Sequence, residues 1–400
     1  MGEHRGKSGG FPMEKIIRWS CFTASACIVA AFLFALYIST LLPDTFHVGE
    51  TGEIRVAGMP FLTSSPALGQ EEAAANATRG GSYNAQLSLG GVIPVKTVRA
   101  EVLGRRVVQV CGTPFGIKMF ANGAMVVGFS DIYTAQGYQN PAKTAGLKLG
   151  DVIVSIAGHE TRTNEDVAEA LQQLKGAPAE VVFQRDGHEK TVRLTAVMDL
   201  STNTYRTGMW VRDSSAGIGT MTFIDNATGT FAGLGHSIHD SDTGKTLGLL
   251  KGEIVPVEIT GVEKGSAGAP GELKGRFLTA AAAGDITVNG ETGVYGTVSS
   301  VQEGIDMELA LAQEVTTGRA EIITTIEGRT PQRYEVEIEK IALNASDANR
   351  NMVVHVTDPV LLQNTGGIVQ GMSGSPILQN GKLVGAVTHV LVNDPTRGYG

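Results

Sequence analysis

From Trp19 to Pro43 the chain carries no charged residue, and this run of 25 constrains everything downstream of it. An α-helix needs about 20 apolar residues to cross the hydrocarbon of a bilayer. Cys21 to Leu42 is rich in Ala, Ile, Leu and Phe on every face, and both flanks are polar, which argues against a buried core helix. Arg5, Lys7, Lys15 and Arg18 precede it, so the positive charge predicts a cytoplasmic amino terminus with the later domains outside. The competing reading is a cleaved signal peptide, whose apolar core would be shorter and would end at a small-residue cleavage site. The expected start is therefore a basic cytoplasmic segment, 1–18, and a transmembrane anchor, 19–43.

Residues 44–99 are expected to form a flexible tether. Thr63-Ser64-Ser65-Pro66 and the run Gly69 to Ser82, with its Ala, Glu, Gly and Asn content, sustain neither helical nor strand periodicity. Farther on, glycine is frequent and charge sparse, 52 glycines and 18% charged residues in 400, which predicts short strands and many turns: a mainly β protein of two or three domains. A net charge of −8, with no basic block beyond the amino terminus, argues against a nucleic-acid partner. Cys21 and Cys27 lie in the apolar run, leaving Cys111 alone in the soluble part, so no disulfide framework is expected there. No Cys/His spacing suits zinc, and neither a metal nor an organic cofactor is expected.

From about Ala100 to Thr195 the pattern reads strand, strand, short helix, strand, helix, strand, strand, a small β-sandwich capped by helices. The helix from Asn164 to Leu174 has Thr163 as its N-cap and Val167, Leu171 and Leu174 on one face. The hairpin Val181–Gln184 to Thr191–Leu194 turns at Asp186-Gly187. The stretch Asn140-Pro141-Ala142-Lys143-Thr144-Ala145-Gly146-Leu147-Lys148-Leu149-Gly150-Asp151-Val152-Ile153 resembles the PDZ signature, placing a PDZ domain at 100–198. Such modules bind extended or carboxy-terminal peptides by strand addition. The resemblance makes Phe115-Gly116-Ile117 the carboxylate-binding loop, with Lys118 nearby and the groove between the strand at Ile117 and the helix bearing Val167 and Leu171.

Near the other end, Gly371-Met372-Ser373-Gly374-Ser375-Pro376 sets a serine in a glycine-flanked loop, followed by apolar strands joined at Gln379-Asn380-Gly381. Gly371 leaves an unhindered N–H, so the N–H groups of Gly371 and Ser373 form a candidate oxyanion hole. An ordinary Gly/Ser turn is the alternative. A nucleophile needs a base. His4 and His47 fall in the amino-terminal flanks and His159 and His188 in loops of the upstream module, leaving His236, His239, His355 and His389. His236 ends the apolar, glycine-punctuated strand Phe231-Ala232-Gly233-Leu234-Gly235 and is favoured over His239, which sits in a polar turn; His389 is placed to pack beside the serine loop. Among the carboxylates, Asp285, Asp306, Asp358 and Asp394 all border apolar segments, and Asp358 ends a strand-like alternation shortly before the serine.

The hexapeptide follows the pattern by which trypsin-like peptidases present serine. With Trp210 to Thr220, Gly233-Leu234-Gly235-His236, Gly366 to Pro376 and Val392-Asn393-Asp394-Pro395-Thr396, the chain resembles the stage IV sporulation B family of serine peptidases. It departs at Ser237, where that family is expected to carry proline, and it stops at Gly400 inside its last segment, where a further strand is expected. The resemblance implies a double β-barrel peptidase domain at 199–400 with catalytic His236, Asp358 and Ser373. It also implies passage into the forespore intermembrane space, self-trimming in the tether, and cleavage of a regulatory subunit of a membrane metalloprotease complex that leads to sigma-factor processing. The PDZ groove would take the substrate or the chain's own peptide. The rival from another class is a non-catalytic PDZ scaffold. An α/β-hydrolase elbow would need glycine where Ser375 stands.

Overall fold

The computed structural model describes residues 13–49, 52–240, 242–245, 249–278, 281–299 and 304–400. Most of the basic segment, including Arg5 and Lys7, lies outside them. The chain divides into two compact units: Met1–Arg105 with Leu311–Thr316 and Ala342–Ser346, and the remainder.

The first unit opens with the helix Met13–Leu41, of which Ile17–Leu41 is long and apolar enough to cross a membrane, at a mean hydropathy of 2.2. Trp19, Phe22, Ile28, Phe32 and Leu33 are exposed along it, while Ile38 and the following Leu42 are buried. The stretch expected as a tether is a sheet instead, and this corrects the sequence reading. Its strands run in the order Thr45–Val48, Ile93–Val102, Ser82–Leu89, Leu62–Pro66, the first pair parallel and the others antiparallel. Phe46 and Val48 alternate with exposed Thr45 and His47, and Tyr83, Ala85 and Leu87 with Ser82, Asn84 and Gln86. The strands are short and every second residue is polar, so composition resembles a linker although period two is present.

In the second unit two rings of strands carry the site. Pro114–Phe129 pairs along its first half with Leu249–Glu263 and with Met209–Asp225. Gly284–Gly290, Gly293–Val298 and Thr230–Gly233 then close a six-stranded barrel. Its core holds Phe115, Ile117, Met119, Met221, Phe231 and Ile254. The rings of Phe115 and Phe231 meet edge to face, with centroids 5.9 Å apart, and each buried phenyl contributes about 1.5–3 kcal/mol through area alone. The second ring runs Gly318–Thr324, Gln332–Ile341, Met352–Val356, Arg397–Tyr399, then the extension of Lys382–Ala386, then Pro376–Gln379. Backbone bonds Thr388 N–H to Tyr399 O (2.9 Å) and Tyr399 N–H to His389 O (2.7 Å) join its last members.

The upstream module is inserted into the first barrel. Ala124 and Val126, in the second half of Pro114–Phe129, belong to a separate core with Leu147, Ile153, Ile156, Val167, Leu171, Val181 and Phe183. The chain returns to the barrel along Met209–Asp225, whose register slips between Trp210 and Val211 and between Arg212 and Ser214, where it passes from module to barrel. The barrel therefore begins before the expected 199, and the module does not start at 100. The expected helix is present: Thr163 and Asp166 form a reciprocal capping box, and Val167 and Leu171 are buried. The hairpin turns at Asp186 (φ 53°) and Gly187 (φ 77°), as expected.

Candidate active site

Ser373 sits on a loop held from behind by the strand Met209–Asp225. Thr220 N–H donates to Ser373 O (2.9 Å), Thr220 Oγ1 to Gly371 O (2.9 Å) and Thr222 Oγ1 to Gly374 O (2.7 Å). Gly374, at φ 95°, lies so close to that strand that a Cβ would fall 2.0 Å from Thr220 O. The N–H groups of Gly371 and Ser373 donate to no protein acceptor among the described residues, as anion donors would require.

His236 follows the strand Thr230–Gly233 through Leu234 (φ 67°) and Gly235 (φ 70°). Its Nδ1 bonds the carbonyl of Ser237 at 2.8 Å, which puts the proton on Nδ1 and leaves Nε2 as an acceptor. A cleft of about 620 Å³ brings together His236, His239, Ser373, Thr388 and His389. His389 lies against His236, ring centroids 4.8 Å apart. Ser373 Oγ donates to Thr388 O at 2.8 Å.

Among the described residues no Asp, Glu, Lys or Arg lines this cleft. Burial pushes His236 below the ordinary histidine range, aided by the charge of His239 and opposed by the Ser237 carbonyl. His389 is pushed down to about 4, chiefly by burial and then by His236 and Arg350, with Asp347 pulling the other way. Both imidazoles are neutral near pH 7, the state a proton acceptor needs.

Asp358 is not brought to this cleft. It is the N-cap of the helix Pro359–Thr365, where its Oδ1 accepts from Val360 N–H (2.8 Å) and Leu361 N–H (3.0 Å) and its Oδ2 from Glu335 N–H (3.4 Å). The Asp-Pro step that gave it a strand-end look is a helix start, with proline at the first helical position. Asp285 lies on a strand of the six-stranded barrel, Asp306 on the strand Ile305–Leu309 that pairs with Val107–Val110, and Asp394 holds Thr396 and Arg397. The Ser237 carbonyl occupies the place at Nδ1 that an aspartate was expected to fill. Three histidines gather here, yet among the described residues no three of His, Cys, Asp and Glu are arranged to hold a metal ion.

Residues 203–400 match the family model of the SpoIVB peptidase S55, and 136–185 that of a PDZ domain. The chain belongs to the SpoIVB peptidase S55 family. The family match starts at 203, whereas the peptidase barrel also takes the strand half around Phe115 and Ile117, on the far side of the PDZ insertion. Two candidate zinc metalloproteases from strains of Staphylococcus aureus are 44% and 42% identical over 55 residues each, 14% of this chain. The chain spans 13% of the length of those curated relatives. The solved PDZ domain of the SdrC-like protein from Listeria monocytogenes is 14% identical, with a TM-score of 0.18, over 22% of this chain and 87% of its own.

The carboxylate-binding loop expected at Phe115-Gly116-Ile117 is part of a barrel strand instead. Phe115 and Ile117 are buried in the barrel core, and a Cβ on Gly116 would lie 2.5 Å from the Phe277 ring and 2.8 Å from Val255. Gly116 pairs with Val255 on one side and Ile218 on the other, so this strand is enclosed in the barrel and cannot receive a peptide. A cleft of about 550 Å³ lies in the PDZ domain between the helix Asn164–Leu174 and the segment from Tyr205 to Val211, lined by Ile132, Val167, Ala168, Leu171 and Met209. The helix bearing Val167 and Leu171 forms one side of this cleft, and the segment at the far end of the insertion forms the other. Arg212, next along that strand, pairs with Asp240 (2.7 Å) and Asp242 (2.6 Å), in the loop that follows His236.

Proposed function

We propose that this chain is a membrane-anchored serine endopeptidase acting outside the cytoplasm, with Ser373 as nucleophile and His236 as its base. The observation that carries this is the convergence, in one uncharged cleft, of the Ser373 hydroxyl, a neutral imidazole and the unpartnered N–H groups of Gly371 and Ser373. In the reaction the Ser373 hydroxyl turns from Thr388 O to His236 Nε2, which takes its proton as Oγ attacks the peptide carbonyl. The N–H groups of Gly371 and Ser373 stabilise the oxyanion. His236 then protonates the departing amine, and water, deprotonated by the same nitrogen, releases the acyl group. The Ser237 carbonyl keeps the imidazole in the required tautomer.

The finer role follows from family membership, the PDZ domain and the apolar helix. In this reading the enzyme trims itself in its amino-terminal unit. It then cleaves a regulatory subunit of a membrane metalloprotease complex in the forespore intermembrane space, so that sigma-factor processing follows. The sheet of that unit confines self-cleavage to its turns, where Leu68 and Val92 stand exposed.

The test is to incubate purified full-length protein, wild type and Ser373→Ala, alone and with unfolded casein, and to sequence new amino termini. Wild type alone should lose part of residues 49–92 and cut casein. Equal products from both would refute the serine-peptidase reading and favour the non-catalytic PDZ scaffold.

A further inference from the structure

The cleft has two walls that are held by different parts of the chain. On one side, Ile238 N–H donates to Asn289 Oδ1 (2.8 Å) and Asn289 Nδ2 to Ile238 O (3.1 Å), fixing the segment that carries His236 and His239. On the other, Gln370 N–H bonds Gly271 O, Leu273 N–H bonds Gln370 O and Gly268 N–H bonds Val392 O, each at 2.8 Å. These last bonds join three segments into one wall, which shows the cleft Ile368, Val369, Gln370, Pro270, Val390 and Val392. Chemistry decides which wall meets which half of a substrate. The departing amine must leave on the His236 side, because His236 protonates it. The acyl half therefore runs past Gly371 onto the second wall.

That wall has no charge to offer. Ile368 and Val369 are each 1% exposed and form its floor, while Val390 and, in the turn that follows it, Val392 form its rim. Val392 is 48% exposed, an apolar surface left open beside a nucleophile. A lysine, arginine, aspartate or glutamate side chain entering here would lose water and gain no partner, whereas an aliphatic side chain would exchange water for isoleucine and valine.

We propose that this wall is the specificity pocket, and that it selects peptides with an uncharged aliphatic residue on the acyl side of the cut bond. Ile368, Val369, Val390 and Val392 are its determining residues. The inference rests on the serine-endopeptidase reading and names the substrate class of the same site.

The experiment exposes a proteome-derived peptide library to the full-length protein and reads every new amino terminus, subtracting those made by Ser373→Ala. Val, Leu, Ile and Ala should be enriched on the acyl side about tenfold or more over Lys, Arg, Asp and Glu. A second variant, Val392→Asp, sets a carboxylate on the rim, where exposure makes it tolerable to the fold. It should raise cutting after Lys and Arg by about tenfold relative to wild type. Serine-dependent cuts with no preference, or mainly after charged residues, would overturn the pocket while leaving the peptidase reading intact. An unchanged profile for Val392→Asp would remove Val392 from the determining set. No serine-dependent cut at all would overturn both readings.

Discussion

Ser373 gives its hydroxyl hydrogen to the carbonyl of Thr388, 2.8 Å away, while His236 holds the carbonyl of Ser237 through Nδ1. The proposed nucleophile and base share a cleft but are each bonded to backbone. A bound peptide backbone brings N–H groups of its own, which compete for Thr388 O and free the hydroxyl to turn to Nε2. Apo geometry of this kind commonly tightens only in the substrate complex. Because the two side chains then act as one unit, Ser373→Ala and His236→Ala should each cost on the order of 10³-fold or more in kcat/KM, and the double variant little beyond either. Steady-state rates on one peptide check this, and additive losses would contradict it.

Asp358 acts through the helix it caps. That helix ends at Gly366, and the chain then runs directly through Ile368 and Val369 to the oxyanion loop. Losing the cap should cost about 1 kcal/mol of stability and loosen the loop. Asparagine caps as well as aspartate, so Asp358→Asn should keep the melting temperature and more activity than Asp358→Ala. A fully folded Asp358→Asn with no turnover would restore Asp358 as a group acting on the imidazole.

The histidines set the response to pH. His236 must be neutral to accept a proton, so kcat/KM should rise with pH through a value below the ordinary histidine range. His239→Gln removes a neighbouring positive charge and should move that acid limb to higher pH; no movement would show that the two rings do not interact. His389, pushed down to about 4 when folded, binds its proton more readily in the unfolded chain, at about 6.5. Its contribution to stability is therefore complete above the unfolded value and is lost as pH falls from there toward about 4. Melting temperatures across that window should fall less for His389→Phe than for wild type.

The proposed peptide groove of the PDZ domain and the serine loop share one strand: Met209 lines the groove, Ala216 to Ile218 line the cleft, and Thr220 and Thr222 strap the serine loop. Ala168 is exposed on the groove's helix side. Ala168→Trp should fill the groove and abolish peptide binding, while hydrolysis of a small ester persists within about threefold. Gly116→Val should unfold the barrel and thereby lose both. Peptide binding that survives Ala168→Trp would place the groove elsewhere.

Much of this was legible in the chain. The serine loop, its hairpin, His236 and the capped helix at Thr163 each carry a local signal, a glycine pair or a cap, that needs no tertiary context. What escaped was non-local. Phe115-Gly116-Ile117 reads equally well as a PDZ loop or a barrel strand, and only its pairing with Val255 and Ile218 decides between them. Asp358 ends an alternation of buried and exposed residues whether it faces an imidazole or caps a helix. The sheet from Thr45 to Val102 was hidden because its parallel pair joins segments some fifty residues apart, Thr45 with Arg99. Thr388, whose carbonyl holds the nucleophile, contributes through its backbone, and backbone roles leave no mark on residue type.

The most direct test treats full-length wild type, Ser373→Ala and His236→Ala with a fluorophosphonate and locates the adduct by peptide mass spectrometry. The account predicts a single phosphonylated residue, Ser373, in wild type, no adduct in Ser373→Ala, and labelling slowed by on the order of 10³-fold in His236→Ala. Labelling of Ser373 at an unchanged rate in folded His236→Ala, or an adduct on another residue with Ser373 untouched, would contradict it.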